Sequence, residues 1–112
     1  MFIAMNRFQV LKDATEEFEA VWRNRESRLH EMEGFVRFQM LRGPEREDHI
    51  LYASHTEWAS KADFTAWTTS EQFRRSHGRA PGTRSLYLGH PQFEGFDVIQ
   101  ALGRAPLAEA AE

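Results

Sequence analysis

Three side chains stand out for the chemistry that they could support: Asn6, Trp67 and His77. His77 can ligate a metal through its neutral imidazole, since histidine loses its charge close to neutral pH. Trp67 offers a large flat surface ten residues before it. Asn6 shares a strand face with apolar neighbours, and a buried amide without a hydrogen-bond partner costs about 1–3 kcal/mol. Structural explanations compete for each: a core tryptophan, a histidine at a helix C-terminus, and an amide bonded to a loop.

The sequence between Trp67 and His77 predicts a break in the helical segment that carries them. In one straight helix, ten residues at about 100° each would place the two side chains about 80° apart. Residues 68–70 are Thr-Thr-Ser, which are poor in helix interiors and favoured at helix caps. Thr69 with Gln72 fits the capping box of a second helix. We therefore predict two short helices with a bend between them.

The predicted bend brings two side-chain faces together. The first helix is predicted over residues 61–67, with Ser60 as its cap, and the second over residues 70–77. Residues three or four apart share one face of a helix, so each helix presents a pair of side chains. The pairs are Phe64 with Trp67 and Phe73 with His77. We expect both pairs to point into one space above a sheet.

Hydrophobic periodicity predicts the elements that position these residues. A first long helix is expected to begin with a cap at Asp13 and to end near Gly34. One face of this helix carries Phe18, Trp22, Arg25, Leu29 and Met32. Strands are predicted over residues 1–10, 35–43, 49–58 and 92–102, with a loop over residues 78–91. The order β-α-β-β-α-β is typical of a ferredoxin-like α+β fold, with an antiparallel sheet and both helices on one side.

The domain organisation follows from this element order. Residues 1–102 are predicted to form one ferredoxin-like domain, and residues 103–112 a flexible C-terminal tail. Two helices can cover only one face of a four-stranded sheet, yet apolar residues occur on both faces. A second copy of the chain, packed sheet to sheet with two-fold symmetry, is the simplest cover for the other face. We therefore predict a homodimer.

Composition excludes several classes of function. The net charge of −3 over 112 residues gives no electrostatic basis for binding nucleic acid. The sequence has no cysteine, which excludes disulfides and thiolate chemistry. Histidines and carboxylates form none of the standard metal-binding spacings. No apolar run is long enough to span a membrane and the N-terminus lacks the features of a signal peptide, so we predict a soluble cytoplasmic protein that binds no membrane.

Several fragments together resemble the antibiotic biosynthesis monooxygenase superfamily, and within it the IsdG-type heme-degrading monooxygenases. They are MNRF in the first strand, EGF before the second strand, the tryptophan that closes the third strand, and FTAWTTSEQFRRSH. The resemblance covers about residues 1–100. It implies a ferredoxin-like domain that dimerises through its sheets into an α/β barrel. It also implies a site formed by the residues that here are Asn6, Trp67 and His77.

The resemblance further implies that heme is both the substrate and the cofactor that activates dioxygen. His77 would ligate the iron, Asn6 would donate a hydrogen bond to dioxygen at the iron, and Trp67 would hold the porphyrin out of plane. An external electron donor, a reductase or a small reductant, would support opening of the ring and release of iron. Candidate apolar walls are Phe8, Phe64, Phe73 and Trp22, and candidate cations for the propionates are Arg25 and Arg28. Snorkelling to solvent or an ion pair would explain Arg25 equally well.

Two other functions stay open at this point. Other members of the superfamily are monooxygenases that act on a phenol or quinol without a cofactor. Such sites also use asparagine and tryptophan but need no axial ligand, so His77 favours heme. A non-catalytic heme carrier would use the same pocket as a heme-degrading enzyme.

Overall fold

The computed structural model describes residues 1–25, 27–71, 73 and 85–103. Within these residues, four strands and two α-helices follow in the predicted order, with short 3-10 turns at Lys12–Ala14 and Leu29–Glu31. They are β1 (Phe2–Val10), α1 (Thr15–Asn24), β2 (Phe35–Glu45), β3 (Ile50–Trp58), α2 (Lys61–Thr68) and β4 (Tyr87–Asp97). The strands form one antiparallel sheet in the order β2-β3-β1-β4. The ferredoxin-like fold predicted from the sequence is thereby confirmed.

The helices cover the face of the sheet that carries the even-numbered residues of β1. Phe2, Ala4, Phe8 and Val10 are all buried on this face. Because β1 pairs with β3 in antiparallel register, the even-numbered residues of β3 lie on the same face, with Phe2 opposite Trp58 and Phe8 opposite Tyr52. Alternation of apolar residues in the two central strands therefore sets which face is buried.

Two clusters of buried side chains form the core on this face. The first lies under α1, and we call it the α1-side core: Phe8, Val10, Ala14, Phe18, Ile50, Tyr52 and Leu86. The second lies under α2, and we call it the α2-side core: Phe2, Ala4, Leu29, Trp58 and Trp67. The opposite face has no helix over it within the described part of the chain, and it includes Leu41 and Phe96, which are 38% and 44% exposed.

The first helix is shorter than predicted. It ends at Asn24, and Arg25 is already extended, with φ −68° and ψ 128°. Its N-cap is Ala14 and not Asp13, and no side chain bonds the cap. The predicted helix face from Phe18 to Met32 is therefore wrong. Phe18 packs in the α1-side core but Leu29 packs in the α2-side core, so the chain leaves the helix between them. Neither this helix nor any other among the described residues is long and apolar enough to cross a membrane.

The prediction that Gly34 ends the first helix is wrong, because α1 ends at Asn24 and Gly34 instead lies in the turn into β2. Gly34 has φ 83°, a conformation that favours glycine, and a side chain there would collide with the Asp63 carboxyl group. Ser60 caps α2 as predicted, because its hydroxyl accepts a hydrogen bond of 3.1 Å from the Asp63 backbone N–H. The close approach of Gly34 to Asp63 thus fixes where α2 starts above the sheet.

The last strand begins earlier than predicted, inside the expected loop over residues 78–91. It lies at an edge of the sheet, where proline is tolerated because its backbone lacks the N–H that an inner strand would need for pairing. Pro91 can therefore be part of this strand. Its register with β1 shifts between Arg7 and Gln9, and Gly89 has φ 60° at this irregularity. A bulge therefore lets the strand continue through residues that look like a loop. The predicted tail lies outside the described residues from 104 onward.

Candidate active site

A cavity of about 430 Å³ opens between the sheet and the helical layer, over the α2-side core. Residues from every strand and both helices line it. They are Ala4, Asn6, Trp22, Arg25, Ser27, Leu29, Phe38, Ser54, Thr56, Phe64, Trp67, Thr68, Phe73 and Phe93. Six of the residues singled out from the sequence are among them: Asn6, Trp22, Arg25, Phe64, Trp67 and Phe73. His77 lies outside the described residues.

Asn6 lies on the floor of the cavity, in the middle of the central strand β1. Its partners across the sheet are Ser54 on β3 and Phe93 on β4. No hydrogen bond from its carboxamide is formed with any described residue, although its backbone belongs to the sheet. The structural alternative, an amide bonded to a neighbouring loop, thus finds no support in the described part of the chain. The carboxamide is available to a ligand.

Trp67 forms one wall of the cavity and is only 5% exposed. Its ring lies 6.2 Å from the Trp58 ring and 5.4 Å from the Phe73 ring, the latter in an edge-to-face contact. These contacts on two sides hold the indole against rotation. Trp67 is therefore a core residue and a cavity wall at once, and the two explanations weighed from the sequence do not exclude each other.

The chain bends after Trp67, as predicted, but Ser70 makes the bend and not Thr69. The Ser70 hydroxyl donates to the Trp67 carbonyl at 2.7 Å and accepts from the Phe73 backbone N–H at 3.0 Å. The Thr69 hydroxyl instead donates back to the Ala66 carbonyl at 3.2 Å. Ser70 therefore bonds both the last turn of α2 and the backbone of Phe73, which places Phe73 against Trp67.

Two stacked aromatic pairs stand on opposite sides of the cavity. Trp22 on α1 stacks on Phe38 of β2, with centroids 5.8 Å apart and 15° between the planes. Phe64 on α2 stacks on Phe93 of β4, with centroids 5.5 Å apart and 7° between the planes. The outer ring of each pair belongs to an edge strand of the sheet. The cavity is thus framed by flat apolar surfaces suited to a flat ligand.

Arg25 is the cation among the described residues that line the cavity. Its guanidinium lies 3.9 Å from the centre of the Trp22 ring, and burial lowers its pKa from the usual value. No carboxylate of the described residues pairs with it. Arg28, the other candidate, instead bonds Glu31 at 2.9 Å. Arg25 is therefore positioned to bind an anionic group of a ligand.

Phe8 is the one candidate apolar wall that does not line the cavity. It is 6% exposed and packs in the α1-side core, with its ring 5.3 Å from both Phe18 and Tyr87. The step of two residues from Asn6 to Phe8 carries the side chain beneath α1, which closes over it. The expectation that Phe8 forms a cavity wall is corrected accordingly.

Several lining residues escaped the sequence analysis. Phe93 and Ser54 could have been found once strand pairing was known, because both lie beside Asn6 in adjacent strands. Sequence alone does not reveal that register. Ser27 and Leu29 lie in the segment between α1 and β2, where a continuous helix was expected.

A family model for the antibiotic biosynthesis monooxygenases matches residues 1–79. A heme-degrading monooxygenase of Shouchella clausii is 31% identical over 83 residues, which is 74% of this chain and 75% of the relative. A staphylobilin-producing heme oxygenase of Staphylococcus saprophyticus is 26% identical over 85 residues, 76% of this chain and 81% of the relative.

Solved structures of similar fold include both heme-binding and cofactor-independent proteins. The heme degrader MhuD of Mycobacterium tuberculosis, with two hemes in its active site, superposes with a TM-score of 0.74 at 24% identity, over 92% of this chain and 100% of that one. SnoaB, a cofactor-independent oxygenase of Streptomyces nogalater, gives a TM-score of 0.63 at 26% identity, over 90% of this chain and 95% of that one.

Proposed function

This chain belongs to the antibiotic biosynthesis monooxygenase family, and we propose that within it the protein is a heme-degrading monooxygenase. Heme would be both the substrate and the group that activates dioxygen, and the ring would be opened with release of iron. Electrons would come from a reductase or a small reductant. The similarity to relatives named for heme degradation supports this choice of substrate.

One observation carries the proposal: the cavity combines flat aromatic walls with an arginine that has no carboxylate partner among the described residues. Heme is a flat apolar ring with two carboxylates at one edge. The stacked pairs would sandwich or border the ring, and Arg25 would bind a propionate. A neutral planar ligand would leave the half-buried guanidinium with its contact to the Trp22 ring but without an anionic partner.

Roles for the remaining residues follow from their positions. Trp67 is held on two sides, so it can press against a bound ring without rotating away. Asn6 presents its carboxamide on the cavity floor and would donate a hydrogen bond to dioxygen on the open side of the ring. His77 would ligate the iron through a neutral imidazole. This last assignment rests on the family resemblance.

Hemin titration followed by absorbance tests the proposal. We expect one heme bound per chain, with loss or a strong shift of the Soret band when His77 is replaced by alanine. His30→Ala and His90→Ala remove exposed histidines and serve as controls. A spectrum that changes only in one of these controls would move the iron ligand elsewhere, and a wild-type protein that binds no hemin would refute the proposal.

The role of Arg25 has its own matched control. Arg25→Ala should weaken hemin binding about tenfold, because an ion pair to a carboxylate in a half-buried site is lost. Arg23→Ala removes an exposed arginine in the last turn of α1, two residues before Arg25, whose partner is Glu19 at 3.2 Å. Equal effects of the two substitutions would show that general charge, and not a propionate contact, explains the loss.

A cofactor-independent oxygenase is the second candidate, and the similarity to SnoaB at 26% identity favours it. A phenol or quinol would then occupy the cavity, with Asn6 bonding its oxygen. Incubation with hemin and a reductant separates the two functions from each other and from a heme carrier. Decay of the Soret band indicates heme degradation, a stable heme complex indicates a carrier, and absence of binding leaves the phenol or quinol oxygenase.

We also propose that the uncovered face of the sheet joins two chains. Leu41 and Phe96 are large apolar residues on this face, in the two edge strands. Light scattering after size exclusion should give about twice the chain mass. Phe96→Asp should shift the protein toward monomer, whereas Val21→Asp, on the exposed side of α1, should not. A monomeric wild-type protein would refute the sheet-to-sheet dimer.

A further inference from the structure

Ser54 is a buried polar residue whose position no role described above explains. It lies in the middle of β3 and is only 7% exposed. On β1 it faces Asn6 and on β2 it faces Met40. Residues directly opposite each other in adjacent strands have Cβ atoms about 4.5–5.5 Å apart. The Ser54 hydroxyl and the Asn6 carboxamide thus lie side by side on the cavity floor.

The hydroxyl of Ser54 has no hydrogen-bond partner among the residues that the structure describes. Thr56, two residues further along the same face, behaves differently, because its hydroxyl donates to the Ala4 carbonyl at 3.2 Å. Ser54 lines the cavity, and its hydroxyl oxygen is not among the buried unpartnered atoms of the described residues, so the hydroxyl opens toward a bound ligand. Both polar groups at the centre of the floor can therefore take a ligand as their partner.

We propose that Ser54 and Asn6 together form a two-donor site for a single small oxygen atom or anion. Serine offers one O–H donor and the asparagine amide offers two N–H donors, so both can point to one acceptor. This inference rests on the proposed function, in which that acceptor is the ligand on the open side of the heme iron. Ser54 is then a binding residue in its own right, beside the asparagine that the family resemblance suggests.

The two-donor site differs from a role in which Ser54 only orients Asn6. If Ser54 contacts the ligand directly, its removal weakens ligand binding even when Asn6 is already absent. If it only orients Asn6, its removal has no further effect in that background. A double-mutant cycle therefore distinguishes direct contact from positioning.

Fluoride is the probe, because it binds ferric heme as a small anion and accepts charge-assisted hydrogen bonds. Fluoride affinity is measured by absorbance on the ferric heme complex of the wild type, Ser54→Ala, Asn6→Ala and the double variant. We expect Ser54→Ala to lower fluoride affinity about tenfold, the scale of a hydrogen bond to a charged group. The same factor should appear in the Asn6→Ala background, while hemin affinity stays close to that of the wild type.

Two comparison variants guard against changes in packing. Ser54→Thr keeps a hydroxyl at the same position and should retain most of the fluoride affinity. Thr56→Val removes a hydroxyl that already has a backbone partner, so we expect a much smaller loss. Fluoride affinity unchanged in Ser54→Ala, or lost equally in Thr56→Val, would overturn the two-donor site while heme binding stands. A wild-type protein that binds no hemin would overturn both this inference and the proposed function.

Discussion

The two halves of the helix-covered face are built from the same two strands but differ in packing. Over the α1-side core, Phe18 is 1% exposed and contacts Phe8, Trp22, Tyr52 and Tyr87 through its ring. Over the α2-side core, comparable aromatic residues surround an open cavity. The boundary on the two central strands lies between Phe8 and Asn6, and between Tyr52 and Ser54.

The difference shows how a small domain can separate stability from function. Tyr52 donates a hydrogen bond to the Glu19 carboxylate, which also receives Arg42 at 3.1 Å, so α1 is tied to the sheet at its middle. The same helix then ends at Asn24, and its last turn and the residue that follows bring Trp22 and Arg25 to the cavity. The closed half, which is the α1-side core, thus positions two side chains that line the cavity of the open half, which is the α2-side core.

A large effect on stability is expected from Phe18 in the closed half. Phe18→Ala should destabilise the protein by about 3–5 kcal/mol, because it leaves a void among rings that cannot collapse into it. Chemical denaturation followed by fluorescence measures the change. Val21→Ala, an exposed position on the same helix, should change stability by less than about 1 kcal/mol. Similar losses in the two variants would contradict the close packing of Phe18 in the closed half.

In the open half, Asn6→Ala should change turnover more than stability. Loss of one donor to developing negative charge typically lowers a rate about 10²–10³-fold. Hemin affinity should stay near that of the wild type, because it derives from ring burial and the iron ligand. Single-turnover decay of the Soret band with a reductant gives the rate. Asn24→Ala is the control. Turnover at the wild-type rate in Asn6→Ala would show that Asn6 has no role in the reaction.

Trp67→Ala should also slow heme cleavage, for a different reason. If Trp67 holds a bound porphyrin out of plane, as the family resemblance implies, its removal would relax that distortion, while the larger cavity would still admit heme. The variant should therefore bind hemin and degrade it slowly. Because Trp67 is also buried in the core, its stability is measured alongside and should fall by about 3–5 kcal/mol. Heme degradation at the wild-type rate in a folded Trp67→Ala protein would show that Trp67 does not contribute to cleavage of the ring.

Alkaline pH should weaken the closed half through Tyr52. Burial and the hydrogen bond to Glu19 raise the pKa of Tyr52 to about 12 from its usual value of 10.0. A group whose pKa is raised by folding stays protonated in the folded state after it ionises in the unfolded chain. The contribution of the protonated Tyr52 hydroxyl to the free energy of unfolding is therefore complete below about pH 10 and is lost as the pH rises from about 10 to about 12. Tyr52→Phe should lack this decline, measured as the difference in unfolding free energy across that range.

The smallest expected effect concerns the edge of the open half. Phe93 is 51% exposed and stacks on Phe64 at the cavity rim. Phe93→Ala should change stability by less than about 1 kcal/mol, since little buried area is lost. Hemin affinity should nevertheless fall, because one flat surface of the cavity disappears. An unchanged affinity would show that the Phe64–Phe93 pair does not contact the ligand.

Much of the site followed from local sequence patterns. Strand alternation identified Asn6 as the polar member of an apolar face, and the Thr-Thr-Ser segment predicted the bend after Trp67. The Ser60 cap was also predicted correctly. These features depend on backbone conformations and hydrogen bonds within a few residues, which local sequence determines.

Only the tertiary structure decided which of these residues meet. The end of α1 at Asn24, the burial of Phe8 under that helix and the pairing of Asn6 with Ser54 all depend on register between distant strands. The start of β4 at Tyr87 likewise depends on its edge position and its bulge. The sequence by itself therefore determined the order of the elements and the residue types available for chemistry. Packing decided which half closes and which stays open, because the same alternating pattern serves a filled core and a cavity equally well.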